Sequence, residues 1–216
     1  QLLRESYQSS VDNSSREYFV YLPRGYHSHP DKKWPVMLFL HGNGERGDGL
    51  NELDFVMMQG PLHEAWVQKK DLPFIIISPQ LHMFGWDQKG IVYIDNRTKD
   101  NIPKRLDQGV PKRSAAFQTN SDIQRMPSLT DMSDVAPLLP QGWEILETDL
   151  IAMLDSVQHR YRANVTKTYI SGLSYGGFGT WYMASKYPER FAAIAPVVGW
   201  GHPSLMTPIA KYKLPV

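Results

Sequence analysis

The sequence predicts an α/β fold in a single domain of 216 residues, with a mostly parallel sheet flanked by helices. Three observations carry this. Short apolar runs at 35–40 and 74–77 have the composition of strands buried on both faces, and a third at 191–198 predicts another strand. Segments with helical spacing of apolar residues lie between them. Strand and helix alternate, and that alternation calls for parallel pairing with right-handed crossovers.

The elements follow in order. Residues 16–22, Arg-Glu-Tyr-Phe-Val-Tyr-Leu, are rich in β-formers and predict an antiparallel edge strand. Residues 23–33 are a polar turn region, 35–40 a buried strand and 41–51 a Gly-rich loop. Phe55, Val56, Leu62, Ala65, Trp66 and Val67 predict one or two short helices, broken at Gly60-Pro61. Residues 74–77 are a second buried strand, ended by Ser78-Pro79. Residues 142–162 place Leu146, Leu150, Met153, Leu154, Val157 and Tyr161 on one helical stripe, which is core packing without chemistry. A strand at 167–171, a helix from Gly177 to about Lys186 and a strand at 191–198 complete the series.

Residues 82–141 break the rhythm. A few residues would join a strand to its crossover helix, yet here there are about 60, rich in Asp, Asn, Gln, Ser and Pro. A long loop leaving the C-terminal end of a strand predicts a lid or insertion over the active-site face. The apolar residues Ile91, Val92, Tyr93, Ile94, Leu138 and Leu139 favour at least partial order in it.

Composition excludes several classes. The net charge is +1, and short basic runs such as Lys69-Lys70 and Pro111-Lys112-Arg113 have the character of solvated surface, so nucleic acid is not an expected partner. There is no apolar stretch of about 18 residues, hence no transmembrane segment. The absence of cysteine excludes disulfides, a Cys nucleophile and a thiolate metal site. Seven histidines occur without H-x-x-H or H-E-x-x-H spacing, so no metal and no cofactor are expected. The chain begins at Gln1, which removal of a secretory leader or a trimmed start explains. With sequons at Asn13, Asn96 and Asn164 it points to a secreted or periplasmic location, the cytoplasm being the alternative.

The chemistry lies in Gly172-Leu173-Ser174-Tyr175-Gly176. Strand, G-x-S-x-G, helix is the sequence form of a nucleophile elbow. Small neighbours let the backbone turn sharply, and the serine hydroxyl stands at a helix N-terminus, where N–H groups can hold an oxyanion. Alone, the pentapeptide could be an ordinary βα turn. Upstream, however, Trp34-Pro35-Val36-Met37-Leu38-Phe39-Leu40 empties into His41-Gly42-Asn43-Gly44, the form of the strand and loop that donate a second oxyanion N–H. Ser174 is therefore a candidate nucleophile.

Tyr21-Leu22-Pro23-Arg24-Gly25-Tyr26, the run Trp34 to Asp48 with its H-G-x-G-E-R-G-D string, and Gly172 to Trp181 together resemble the α/β-hydrolase superfamily. The resemblance is to its predicted peptidase and phospholipase/carboxylesterase-like branch, near feruloyl esterases and polyhydroxybutyrate-depolymerase-like enzymes. It covers most of the chain except 82–141. It implies a serine hydrolase that cleaves small or polymer-linked carboxylic esters through an acyl-enzyme on Ser174. The oxyanion would be held by the N–H of Tyr175 and by that of Asn43 or Gly44. Glu45 and Arg46 match the family string and would form either a loop-stabilising ion pair or a substrate contact. His41, Trp86, Trp200 and His202 are candidates for the substrate-binding rim, the tryptophans also for plain packing, and His202 for a substitute general base.

The chain departs from the family beyond the elbow. The family order is Ser, then Asp or Glu, then His. After Ser174 the only acid is Glu189 and the only histidine His202. The resemblance implies that the triad acid and histidine, with two strands and a helix, are not in this chain, whose fold would be truncated at its C-terminal end. Two rivals stand beside the esterase: a prolyl-oligopeptidase-like peptidase, and an inactive hydrolase fold used for binding.

Overall fold

The computed structural model describes residues 1–108 and 131–216. The run Pro111-Lys112-Arg113 and the middle of the 82–141 insertion lie outside the described residues. Six strands form one sheet: β1 (Leu2–Gln8), β2 (Ser15–Tyr21), β3 (Trp34–Leu40), β4 (Ile75–Ser78), β5 (Ala163–Leu173) and β6 (Ala193–Val197). Their spatial order is β1-β2-β4-β3-β5-β6. β2 is antiparallel to β1 and to β4, and the pairs β4–β3, β3–β5 and β5–β6 are parallel.

The helices are α1 (Gly60–Leu62), which continues into a π-turn over His63–Val67, then α2 (Val92–Asp95), α3 (Glu147–Arg160), α4 (Tyr175–Lys186) and α5 (Pro203–Tyr212). Strand parity explains the two apolar layers. Val36, Leu38, Leu40, Ile75, Ile77 and Ile170 face the larger layer, with Trp143, Leu146, Leu150, Leu154, Val157, Met183 and Ile209. Phe19, Tyr21 and Ile76 face the other, with Leu53, Val56, Leu62 and Ala65. β3 and β4 are continuous apolar runs because both their faces are covered.

One expectation is corrected, and one helix is added. Residues 16–22 are not at the edge, because β1 lies outside β2. β1 alternates half-buried and exposed residues and carries Arg4, Glu5 and Gln8, so it offers no apolar run to read. α5 was also not expected: Pro203 and Pro208 obscure its pattern, although Pro203 sits at the helix start, where the ring costs no hydrogen bond. The strand at 167–171 extends to Ala163–Leu173.

The order of strands places the site. β4 and β5 lie on opposite sides of β3, so the chain reverses direction of assembly there, and such a switch point opens a crevice at the strands' C-terminal ends. Leu40 is in register with Gly172. The Gly-rich loop and the G-x-S-x-G turn therefore leave the sheet side by side.

Candidate active site

Ser174 is the link between β5 and α4, with φ 54° and ψ −116°. This left-handed region is one that glycine enters freely and serine does not. The turn is held by the Ser174 N–H donating to Val197 O at 2.9 Å and the Phe178 N–H donating to Ser174 O at 3.1 Å. The glycines around it are sterically required. A Cβ on Gly172 would lie 2.2 Å from Gly176 O, and one on Gly176 would lie 1.7 Å from Leu40 O. The backbones of β5, α4 and β3 meet without side chains between them.

The Gly-rich loop packs against this turn. A Cβ on Gly42 would lie 3.6 Å from Ser174 Cβ. Gly42, Asn43, Gly44, Glu45, Leu173 and Ser174 line one open cavity of about 360 Å³, together with Met58, Gln59, Tyr93 and Arg97. Sequence reasoning placed Asn43, Gly44 and Ser174 together. It missed Met58, Gln59 and Arg97, whose surroundings carry no pattern; Tyr93 was visible only as part of an apolar run in the insertion.

His41 stands behind the loop. It is buried, its Nδ1–H donates to Gly42 O at 2.6 Å, and its Nε2 accepts the Leu81 N–H at 2.9 Å. Burial lowers its pKa to about 3, so it is neutral. Its ring meets Trp143 edge-to-face, with centroids 4.9 Å apart, and Trp143 donates to His41 O. Both ring nitrogens are engaged, so it supports the loop rather than touching the cavity. A trans peptide is planar, so fixing the Gly42 carbonyl also fixes the Asn43 N–H, which points the opposite way.

Arg46 is fully buried. It donates to Asn43 Oδ1 at 2.5 Å, to His82 O at 2.8 Å and to Gln141 O at 2.7 Å. Its guanidinium lies 4.9 Å from the Tyr175 ring centre and 5.0 Å from that of Trp86. Burial lowers its pKa to about 10, which leaves it protonated at neutral pH. One cation thus braces both the loop and the residue after Ser174. Among the described residues it does not pair with Glu45, so the expected ion pair is replaced by bonds to neutral acceptors. Glu45, its pKa raised by burial, sits 3.8 Å from His41 Nδ1.

The rim candidates are spread out. Trp86 packs edge-on against Tyr175, at 5.8 Å between centroids, outside the cavity lining. Trp200 is half exposed and meets Phe178 edge-on. His202 caps α5: its Nδ1 accepts the Ser204 N–H and its Nε2 bonds Met132 O at 3.2 Å. Its ring is engaged in those contacts rather than directed at Ser174.

A thermostable esterase superposes with a TM-score of 0.53 at 22% identity, over 96% of this chain and 44% of that one. The chain has the α/β-hydrolase fold. It spans less than half the length of that esterase. The model of the prolyl oligopeptidase family matches residues 146–207, which hold α3, the serine turn and α4. Poly(3-hydroxyalkanoate) depolymerase C of Paucimonas lemoignei is 38% identical over 47 residues, 22% of this chain and 11% of the depolymerase. A CE1 ferulic acid esterase of Anaeromyces mucronatus gives a TM-score of 0.45 at 18% identity, over 89% of this chain and 56% of that one. No described helix is long and apolar enough to cross a membrane.

Proposed function

We propose that the protein is a serine hydrolase that cleaves carboxylic esters through an acyl-enzyme on Ser174. The observation that carries this is the strained Ser174 turn opening on a cavity shared with the Asn43–Gly44 loop. A site needs both parts in contact to hold one tetrahedral oxyanion. Ser174 Oγ attacks the ester carbonyl. The developing oxygen anion is held by the Tyr175 N–H at the start of α4 and by the Asn43 or Gly44 N–H, of which His41 orients the former. The tetrahedral intermediate collapses, the alcohol leaves with a proton, and water then releases the acid and restores the serine.

Neither His41 nor His202 has a nitrogen to spare for Ser174. The reading assigns the general base and its orienting carboxylate to a histidine and an acid outside residues 1–216. The resemblance to feruloyl and polymer-degrading esterases favours small or polymer-linked esters as substrates. The sequons at Asn13, Asn96 and Asn164 favour a secreted location.

The match to the prolyl oligopeptidase family favours a second reading, cleavage of an amide. A panel of p-nitrophenyl and hydroxycinnamoyl esters beside peptide p-nitroanilides, run on the full-length protein, separates the two. Fluorophosphonate is expected to label Ser174, and Ser174→Ala to abolish labelling and turnover with little change in stability. An unlabelled Ser174 in folded full-length protein would point to a binding module instead.

A further inference from the structure

Arg97 belongs to the insertion after β4, far along the chain from the Gly-rich loop and the serine turn, yet its side chain is only 7% exposed. Its Nη1 donates to Gly44 O at 3.0 Å and, more closely, to Arg46 O. Its Nη2 reaches Glu52 at 3.4 Å, and the guanidinium covers the Phe55 ring at 4.4 Å. The neighbouring α2 is anchored by the buried Ile94, while the exposed Tyr93 lines the cavity. The Tyr93 hydroxyl accepts from Asn43 Nδ2 at 2.8 Å, and a Cβ on Gly44 would lie 3.8 Å from the Tyr93 ring.

The candidate oxyanion donors thus lie in a stretch of loop whose carbonyls are held on both sides. His41 fixes Gly42 O on one side, and Arg97 fixes Gly44 O and Arg46 O on the other. A Gly-flanked turn has wide conformational freedom, and donors contribute to rate only if they are pointed at the oxyanion before it forms. Resting on the hydrolase reading above, we propose that Arg97, assisted by Tyr93, is a positioning residue for the oxyanion loop. The insertion is then part of the rate acceleration on every ester, and more than a wall that selects among substrates.

Several variants of the full-length enzyme test this. Arg97→Met should lower kcat on the order of 10- to 100-fold with KM within about threefold. The factor should be the same for p-nitrophenyl acetate and for a bulky hydroxycinnamoyl ester. Affinity for a trifluoromethyl ketone, which presents a tetrahedral oxyanion, should fall in parallel. Arg97→Lys should recover part of both losses, since one ammonium can bond one of the two carbonyls. Tyr93→Phe, a change at a half-exposed residue that threatens folding little, should give a smaller loss of the same pattern. Unchanged kcat and ketone affinity in folded Arg97→Met would overturn the proposal. So would a loss confined to bulky esters, or one that follows only the fraction of unfolded protein. If Arg97→Met does not fold, the Lys and Phe variants decide on the same readouts. A wild-type protein that neither labels with fluorophosphonate nor turns over any ester refutes the hydrolase reading, and the proposal with it.

Discussion

Ser174 holds φ 54° at a cost that a glycine would not incur. Ser174→Gly and Ser174→Ala should both be inactive, but the glycine variant should be the more stable by about 1 kcal/mol, after allowing for its more flexible unfolded chain. Urea melts of the two variants check this, and equal midpoints would mean that the turn is unstrained. His41 supplies a second test at this scale. Its pKa falls from 6.5 unfolded to about 3 folded, and burial lowers that of His82 to about 4. Each group is neutral in the native state and takes up a proton on unfolding. Their contribution is therefore fully present above pH 6.5 and is lost as pH falls towards 4 and 3. Each adds up to ~1.4 kcal/mol per pH unit to the slope of stability in that window. His41→Gln should reduce the slope between pH 6 and pH 4.5 by about that amount, whatever it does to stability at pH 8. An unchanged slope would place a charged histidine in the core.

Among elements, the loop after β3 is braced largely by its own side chains, which reach to distant segments. Arg46 ties it to the exit of β4 at His82 and to Gln141, just before α3. Arg46→Met leaves three acceptors without a donor and should cost about 3 kcal/mol or more. Arg46→Lys should recover little, because an ammonium lacks the planar fork that reaches three oxygens and stacks between Trp86 and Tyr175. Denaturant midpoints of the two variants test this. α4 is fastened to α3 in a simpler way: Glu147 accepts from the hydroxyls of Tyr182 and Tyr187, the latter at 2.5 Å. Those bonds lower the Glu147 pKa despite partial burial.

For the molecule as a whole, the notable surface is the outer side of β6. Val197, Val198 and Trp200 are 45%, 78% and 51% exposed. Val198 also has φ 53°, which a β-branched residue adopts only under constraint. The Ile194 N–H donates to Pro215 O at 2.9 Å, a single rung alongside this edge. A partly paired edge with exposed apolar residues recruits other chains. The polypeptide 1–216 is expected to self-associate with rising concentration. Val198→Asn should weaken that association and raise stability by about 1 kcal/mol, since Asn tolerates the left-handed region. Sedimentation and thermal melts would show both effects, and an unchanged association would mean that another surface is responsible.

What was legible in the sequence had local causes. Strands covered on both faces become apolar runs, which marked β3 and β4; an apolar run also marked β6, although its Ala195 and Val197 are exposed. The sharp turn at Ser174 demands Gly172 and Gly176 beside it, because any Cβ there meets backbone. The buried stripe of α3 follows from the helical period. Those patterns were enough to predict the α/β fold and to pair Ser174 with the Asn43–Gly44 loop. β1 was not legible, since an edge strand with one wet face leaves a weak pattern, nor was α5, whose prolines mask it. The supports of the site were hidden for a different reason. Arg46 and Arg97 look like surface residues in sequence, and only the fold buries them against backbone carbonyls from distant segments. His41 reads as a possible ligand contact until Leu81, 40 residues away, takes its Nε2. The sequence determined which residues could do chemistry, because backbone geometry and residue size impose that locally. Tertiary structure alone decided which residues hold them in place, because a hydrogen bond between distant segments leaves no periodicity along the chain.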